Sequence, residues 1–229
     1  MATNNVKEMM DAALHFGHQT QKWNPKMKPF LYGSKNGIHI IDLAKTQVCL
    51  EKALEFLKHS AATGKTVMMA STKPQAARLV MEAAKEAKSP YVVNKWMPGL
   101  LTNFSTIKRR IKYFNDLLSQ EKSGELEKYT KKEIAKIKKE IVKLQDAFGG
   151  VRELDRLPAV IFVADVVRDK IIVKEANIMK IAVVAIVDSN SDPDGVDYPI
   201  PANDDALSSL TYVINAVKEA LVEGKGSKK

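Results

Sequence analysis

The sequence predicts an α/β fold: a three-layer parallel sheet of flavodoxin-like type, interrupted by an inserted antiparallel coiled-coil helical hairpin. Two observations carry this prediction. Wholly apolar runs such as Ala159 to Ala164 (AVIFVA) and Ile181 to Val187 (IAVVAIV) suit strands covered on both faces, and they alternate with amphipathic helical segments. Between the second and third of the core strands lies a long stretch whose apolar residues recur at spacings of three and four.

Taken in order, Val6 to Leu14 has helical spacing (Met9, Met10, Ala13, Leu14), with Asn4 or Asn5 as N-cap. After a basic loop, Phe30 to Tyr32 and Ile38 to Asp42 read as short strands joined by a hairpin loop from Gly33 to Gly37. Asp42 to His59 is a helix, with Leu43, Val48, Leu50, Leu54 and Leu57 set against polar residues. Thr66 to Ala70 is an apolar strand, Pro74 to Lys88 a helix with its proline in the first turn, and Tyr91 to Val93 another strand. Helices at about 169–179 and 203–222 complete the alternation, which implies right-handed crossovers and helices on both sides of the sheet.

The insertion has its own logic. Ile107, Ile111, Phe114, Leu117 and Leu118 lie within Thr102 to Leu118, and Ile134, Ile137, Ile141, Leu144 and Phe148 repeat the pattern. Two antiparallel helices sharing that seam form a coiled coil about 25 Å long at ~1.5 Å per residue, with Ser119 to Thr130 as its tip. The expected domains are therefore 1–101 with 149–223 as the globular part, 102–148 as the hairpin, and 224–229 as a short, disordered basic tail.

Hydrophobic residues make up 45% and charged residues 28% of the 229, the balance of a globular protein with a real core. The net charge is +9, and its distribution is uneven. Residues 1–102 carry 14 basic and 7 acidic side chains, residues 103–147 carry 12 and 7, and residues 150–220 carry 7 and 12. A basic front and an acidic rear suggest one face turned to nucleic acid and another kept clear of it. A single cysteine, Cys49, excludes an intrachain disulfide and a thiolate zinc cluster. The start lacks a secretory pattern and no apolar run reaches the length of a membrane span, so the expected location is cytoplasmic.

The stretch HFGHQTQKWNPKMKPF, from His15 to Phe30, holds three lysines, two histidines and three aromatic residues with no carboxylate. Such a composition lets Lys22, Lys26 and Lys28 neutralise phosphates while Trp23 stacks on a base; alternatively, Trp23 and Phe30 plug the core. Lys73 follows a strand and opens a helix, where amides favour an anion. Lys95, beside Trp96, sits in a second basic loop, and Arg109 and Arg110 lead the basic surface of the hairpin.

Enzymatic motifs are poorly matched. Thr63-Gly64-Lys65-Thr66 lacks the first glycine of a phosphate-binding loop, because position 59 is His59. There is no dinucleotide fingerprint or nucleophile elbow. Asp188, ending a core strand, admits a phosphoacceptor or catalytic reading; with Asp204 and Asp205 it is also a candidate site for a structural divalent cation, which His18 completes if the fold brings it there, although no cofactor is required. The plainer reading is turn and cap chemistry: S-N-S-D-P-D-G is a loop, and Asn203, Asp204 or Asp205 caps the last helix.

Four motifs, H-F-G-H-Q-T-x-x-W-N-P-K-M-K-P-F at 15–30, I-H-I-I-D-L-x-K-T at 38–46, W-M-P-G-L-L-T-N at 96–103 and I-V-D-S-N-S-D-P-D-G at 186–195, closely resemble the bacterial small-subunit ribosomal protein S-two family. The resemblance runs from the first helix to about residue 223. It implies a structural constituent of the small ribosomal subunit, ribosome-bound and without catalysis or a small-molecule substrate. The implied partners are 16S ribosomal RNA and neighbouring proteins, among them the large messenger-binding protein S-one. Leu100 departs from the pattern, standing where the family often has a second glycine, and the tail is short. The rivals are a flavodoxin-like signalling or nucleotide-binding enzyme built on Asp188, and a free messenger-binding regulator.

Overall fold

In the computed structural model, which describes residues 5–226, the chain opens with α1 (Val6–Asp11), capped by the Asn5 side chain. It is shorter than expected because Ala13 takes a left-handed conformation (φ 61°) that stops the helix. The basic loop then contains an unforeseen strand, β1 (Phe16–Gln19), followed by short 3-10 turns at Thr20–Lys22 and Pro25–Phe30. β2 (Leu31–Lys35) and β3 (Ile38–Ile41) turn through Asn36 and Gly37, both at positive φ, as a tight hairpin demands. These three strands form a small antiparallel sheet in the order β1-β3-β2.

The main body follows: α2 (Leu43–Ala62), β4 (Val67–Ala70), α3 (Pro74–Glu86) and β5 (Tyr91–Val92). Next come α4 (Phe104–Ser123) and α5 (Lys131–Phe148), then β6 (Val160–Val163), α6 (Lys170–Ile178), β7 (Ala182–Val187), β8 (Tyr198–Pro201) and α7 (Leu207–Gly226). β4 to β8 make one parallel sheet in the order β5-β4-β6-β7-β8, so the strand order reverses between β4 and β6. β8 was not foreseen. Its two prolines cannot donate to a ladder, which hides a strand from pattern reading and confines it to an edge.

Alternate strand residues enter opposite layers. Val67, Met69, Val160, Phe162 and Val184 pack with α2, α3 and α7, whereas Met68, Ala70, Ile161, Val163 and Val183 pack with α6, α4 and α5. Ile107, Ile111, Phe114 and Leu117 of α4 and Ile141, Leu144 and Phe148 of α5 are buried and belong to that second layer. The seam read from the sequence is therefore apolar and inward, and it runs into the core of the sheet. The last helix continues to Gly226 through the start of the expected tail; residues 227–229 of that tail, and Asn4, lie outside the described residues.

Candidate functional site

The strands of the parallel sheet end in a crowd of charge. Asp165 follows β6, Asp188 follows β7, Asp204 follows β8, and Lys73 follows β4, all nearly buried. The Lys73 ammonium lies 2.8 Å from Asp204, 2.6 Å from Asp205 and 3.2 Å from Asp165. Burial opposes its charge, but the hydrogen bonds to Asp204 and Asp205 outweigh this and raise its pKa. Asp204 is pushed up to about 7, by burial first and then by the nearby carboxylates of Asp165 and Asp188, against the pull of Lys73.

Lys73 was expected to reach RNA, and its geometry tells against that: 8% exposed and held by three carboxylates, it offers no open cation to a phosphate. The anion expected at the Ser71-Thr72-Lys73 corner is internal as well. Thr72 donates its amide and hydroxyl to Asp169, at 2.9 and 2.6 Å. Burial raises the Asp169 pKa, and these two donors counter part of the rise.

The small sheet docks on this edge. Asn24 donates its amide to the Ser189 carbonyl at 2.8 Å, and His18 donates its amide to the Ser189 hydroxyl at 2.7 Å. Gly17 permits the approach, since a Cβ there would stand 2.7 Å from that hydroxyl. His18 lies with Nδ1 3.2 Å from Asp188 and Nε2 3.3 Å from Asp205. Its bond to Asp188 raises its pKa, burial opposes the rise, and Asp188, Asp204 and Asp205 add to it as nearby negative charges. One ligand atom each from His18, Asp188 and Asp204 falls within 4.8 Å of the others. An imidazole nitrogen with two carboxylates is a donor set that suits a divalent ion, with Asp205 adjoining.

The basic front and acidic rear of the sequence thus meet instead of standing apart. Lys26 is salt-bridged to Asp192 at 2.8 Å and to Asp194, although all three side chains are about half exposed or more. Lys22 and Lys28 are exposed, and no ion pair among the described residues engages either one. Trp23 is half-buried with its ring 5.1 Å from that of His39, and Phe30 packs against the core. Lys95, Arg109 and Arg110 are exposed, as are the lysines of α5. Among the described residues of α4 and α5, one cation, Lys108, is ion-paired, to Asp155 at 3.5 Å.

Sequence reasoning missed Glu175 of α6. Its buried carboxylate accepts from Trp96 Nε1 (3.1 Å), the amides of Gly99 (2.8 Å), Leu101 (3.0 Å) and Thr102 (3.2 Å), and the Thr102 hydroxyl (3.3 Å). Burial works against its charge, yet these donors prevail and hold its pKa below the ordinary carboxylate value. The loop that launches α4 is thereby tied to α6, and Trp96 is a buried wedge at the junction. The available signal was a glutamate on the apolar stripe of α6, beside Ile172 and Ala176.

The family model described as "Ribosomal protein S2" matches residues 9–224. Relatives named small ribosomal subunit protein uS2 are similar over nearly the whole chain. That of Coprothermobacter proteolyticus is 44% identical over 98% of this chain and 84% of its own. That of Bdellovibrio bacteriovorus is 46% identical over 98% and 72%, and that of Dictyoglomus thermophilum 45% identical over 98% and 92%. No helix of the described residues is long and apolar enough to cross a membrane.

Proposed function

Because the chain belongs to the ribosomal protein S2 family, a structural and non-enzymatic family of the small ribosomal subunit, we propose that it binds 16S ribosomal RNA and neighbouring ribosomal proteins in support of translation. One observation carries the RNA reading. α4 and α5 turn an apolar seam inward and leave Arg109, Arg110, Lys132, Lys136, Lys139 and Lys143 exposed and, among the described residues, outside any ion pair. We read the pair as a coiled-coil hairpin, 102–148, inserted into a globular domain of 1–101 and 149–223, its cations set against phosphates.

Lys22, Lys28 and Lys95 add further exposed cations, and Lys26 joins them by exchanging Asp192 and Asp194 for phosphate, an exchange favoured by the weakness of exposed pairs. Lys73 has no part in it. Trp23, half-buried with His39 against its ring, has less of its surface to offer a base. The acidic carboxyl edge of the sheet is the side for protein neighbours, including the messenger-binding protein S-one, and His18, Asp188 and Asp204 would hold a structural divalent cation there. On this reading the protein works in the cytoplasm, on the ribosome.

Rebinding to small subunits washed free of the protein tests this. With about six phosphates engaged, affinity falls roughly a thousandfold between 50 and 200 mM salt. A flat salt dependence contradicts the electrostatic account, and a protein found only free of subunits on sedimentation of a lysate contradicts the ribosomal one.

A further inference from the structure

We propose that the groove at the amino ends of the strands, lined by Lys85, Lys88, Arg152 and Arg156, seats an RNA phosphodiester backbone; this rests on the reading that the chain binds ribosomal RNA. The groove has a volume of about 820 Å³ and lies between the end of α3 and the segment that returns from α5 to the sheet. Its shape depends on Gly150, where a Cβ would stand 2.2 Å from the Tyr91 carbonyl oxygen, so the returning segment lies directly on the edge strand.

Three features give the groove a phosphate's chemistry. All four cations are exposed, and among the described residues none of them is in an ion pair. The wall also holds Glu153 and Asp155, but Asp155 is drawn to Lys108, 3.5 Å away, leaving the balance positive. Second, the carboxyl end of α3 points here and would repel an anion, yet Lys225 covers it by donating to the carbonyls of Ala87 (2.7 Å) and Lys88 (3.0 Å). Third, Lys88 stands at φ 50°, closing α3 through bonds from its own amide to Lys85 and from Ser89 to Ala84. Glycine adopts that conformation at less cost, and the lysine that stands there sets an exposed cation at the groove wall.

Arg152 is partly engaged, with its Nε donating to Asn115 at 3.0 Å and its guanidinium over the Phe114 ring, which fixes the head in place at the groove wall. Lys85, Lys88 and Arg156 supply the mobile charge. Separate cations lining one groove match the repeated, singly charged phosphates of a nucleic-acid strand.

The test uses the full chain and small subunits washed free of it. An iron chelate tethered at Lys85→Cys, in a Cys49→Ser background, generates hydroxyl radicals at the groove; the expected result is cleavage of the small-subunit RNA at a discrete site. Seated protein without cleavage overturns the proposal, whereas failure of the unmodified protein to seat overturns the ribosomal RNA reading beneath it. The triple variant Lys85→Glu, Lys88→Glu, Arg156→Glu, checked for an unchanged unfolding transition, should rebind with a salt slope smaller by about 2 to 3 and an affinity lower on the order of a hundredfold at about 0.1 M salt. An unchanged slope overturns the proposal, and if seating is nonetheless lost, the groove belongs to a protein partner.

Discussion

The two ends of the parallel sheet both carry cations, and they use them in opposite ways. At the carboxyl ends, Lys73 is nearly buried among Asp165, Asp204 and Asp205, and Lys26 is held by Asp192 and Asp194. At the amino ends, Lys85, Lys88 and Arg156 face solvent without a counter-ion among the described residues. A cation buried among carboxylates, as Lys73 is, stabilises the fold and has little to offer a polyanion, whereas the exposed pairs of Lys26 hold it only weakly. An unmatched one contributes nothing to the fold and keeps its charge for a partner. Counting basic residues along a chain does not separate these cases; their three-dimensional company does.

Removing cations from each end should therefore act with opposite sign. The largest effect is expected for Lys73→Met, which strands three carboxylates together and should cost about 3 to 5 kcal/mol in urea unfolding at neutral pH. Glu175→Gln is next, at about 2 kcal/mol, because the amide nitrogen cannot accept from the donors that converge there. Since the folded Glu175 pKa lies below its ordinary value of 4.5, its contribution is fully present above that value and fades as pH falls through the lower folded value. The gap between wild type and Glu175→Gln should accordingly close in acid; a gap independent of pH would mean that packing, not charge, holds the loop.

At the amino edge the sign reverses. Lys88→Gly relieves a left-handed backbone and should raise stability by about 0.5 to 1 kcal/mol while weakening rebinding to the subunit. Smallest of all, Lys26→Ala should leave the unfolding curve where it is, because its ion pairs are exposed; a clear loss would erase the distinction between buried and exposed pairs.

Much of this architecture is legible in the residues. AVIFVA and IAVVAIV are buried strands, and the spacing of Ile107, Ile111 and Phe114 against Ile141, Leu144 and Phe148 marks the inward seam of α4 and α5. What stays hidden depends on contacts between distant segments. β1 forms because Phe16 to Gln19 has β3 to pair with, and β8 is masked by Pro199 and Pro201. His18 could be linked to Asp188, Asp204 and Asp205 only as a conditional grouping, since nothing local joins residues so far apart; the docking of the small sheet through Ser189 does. The pairing of Lys73 is hidden for the same reason: a lysine after a strand looks solvent-facing until Asp165, following β6, and Asp204, following β8, arrive beside it. Trp96, by contrast, is buried between sheet and helices, with its Nε1 donating to Glu175.

The most direct measurement is the salt dependence of rebinding to protein-depleted small subunits, compared between Lys73→Met, held where it remains folded, and the Lys85→Glu, Lys88→Glu, Arg156→Glu variant. The account predicts a wild-type slope for Lys73→Met and a slope smaller by about 2 to 3 for the amino-edge variant. A reduced slope for Lys73→Met with a wild-type slope for the amino-edge variant would contradict it.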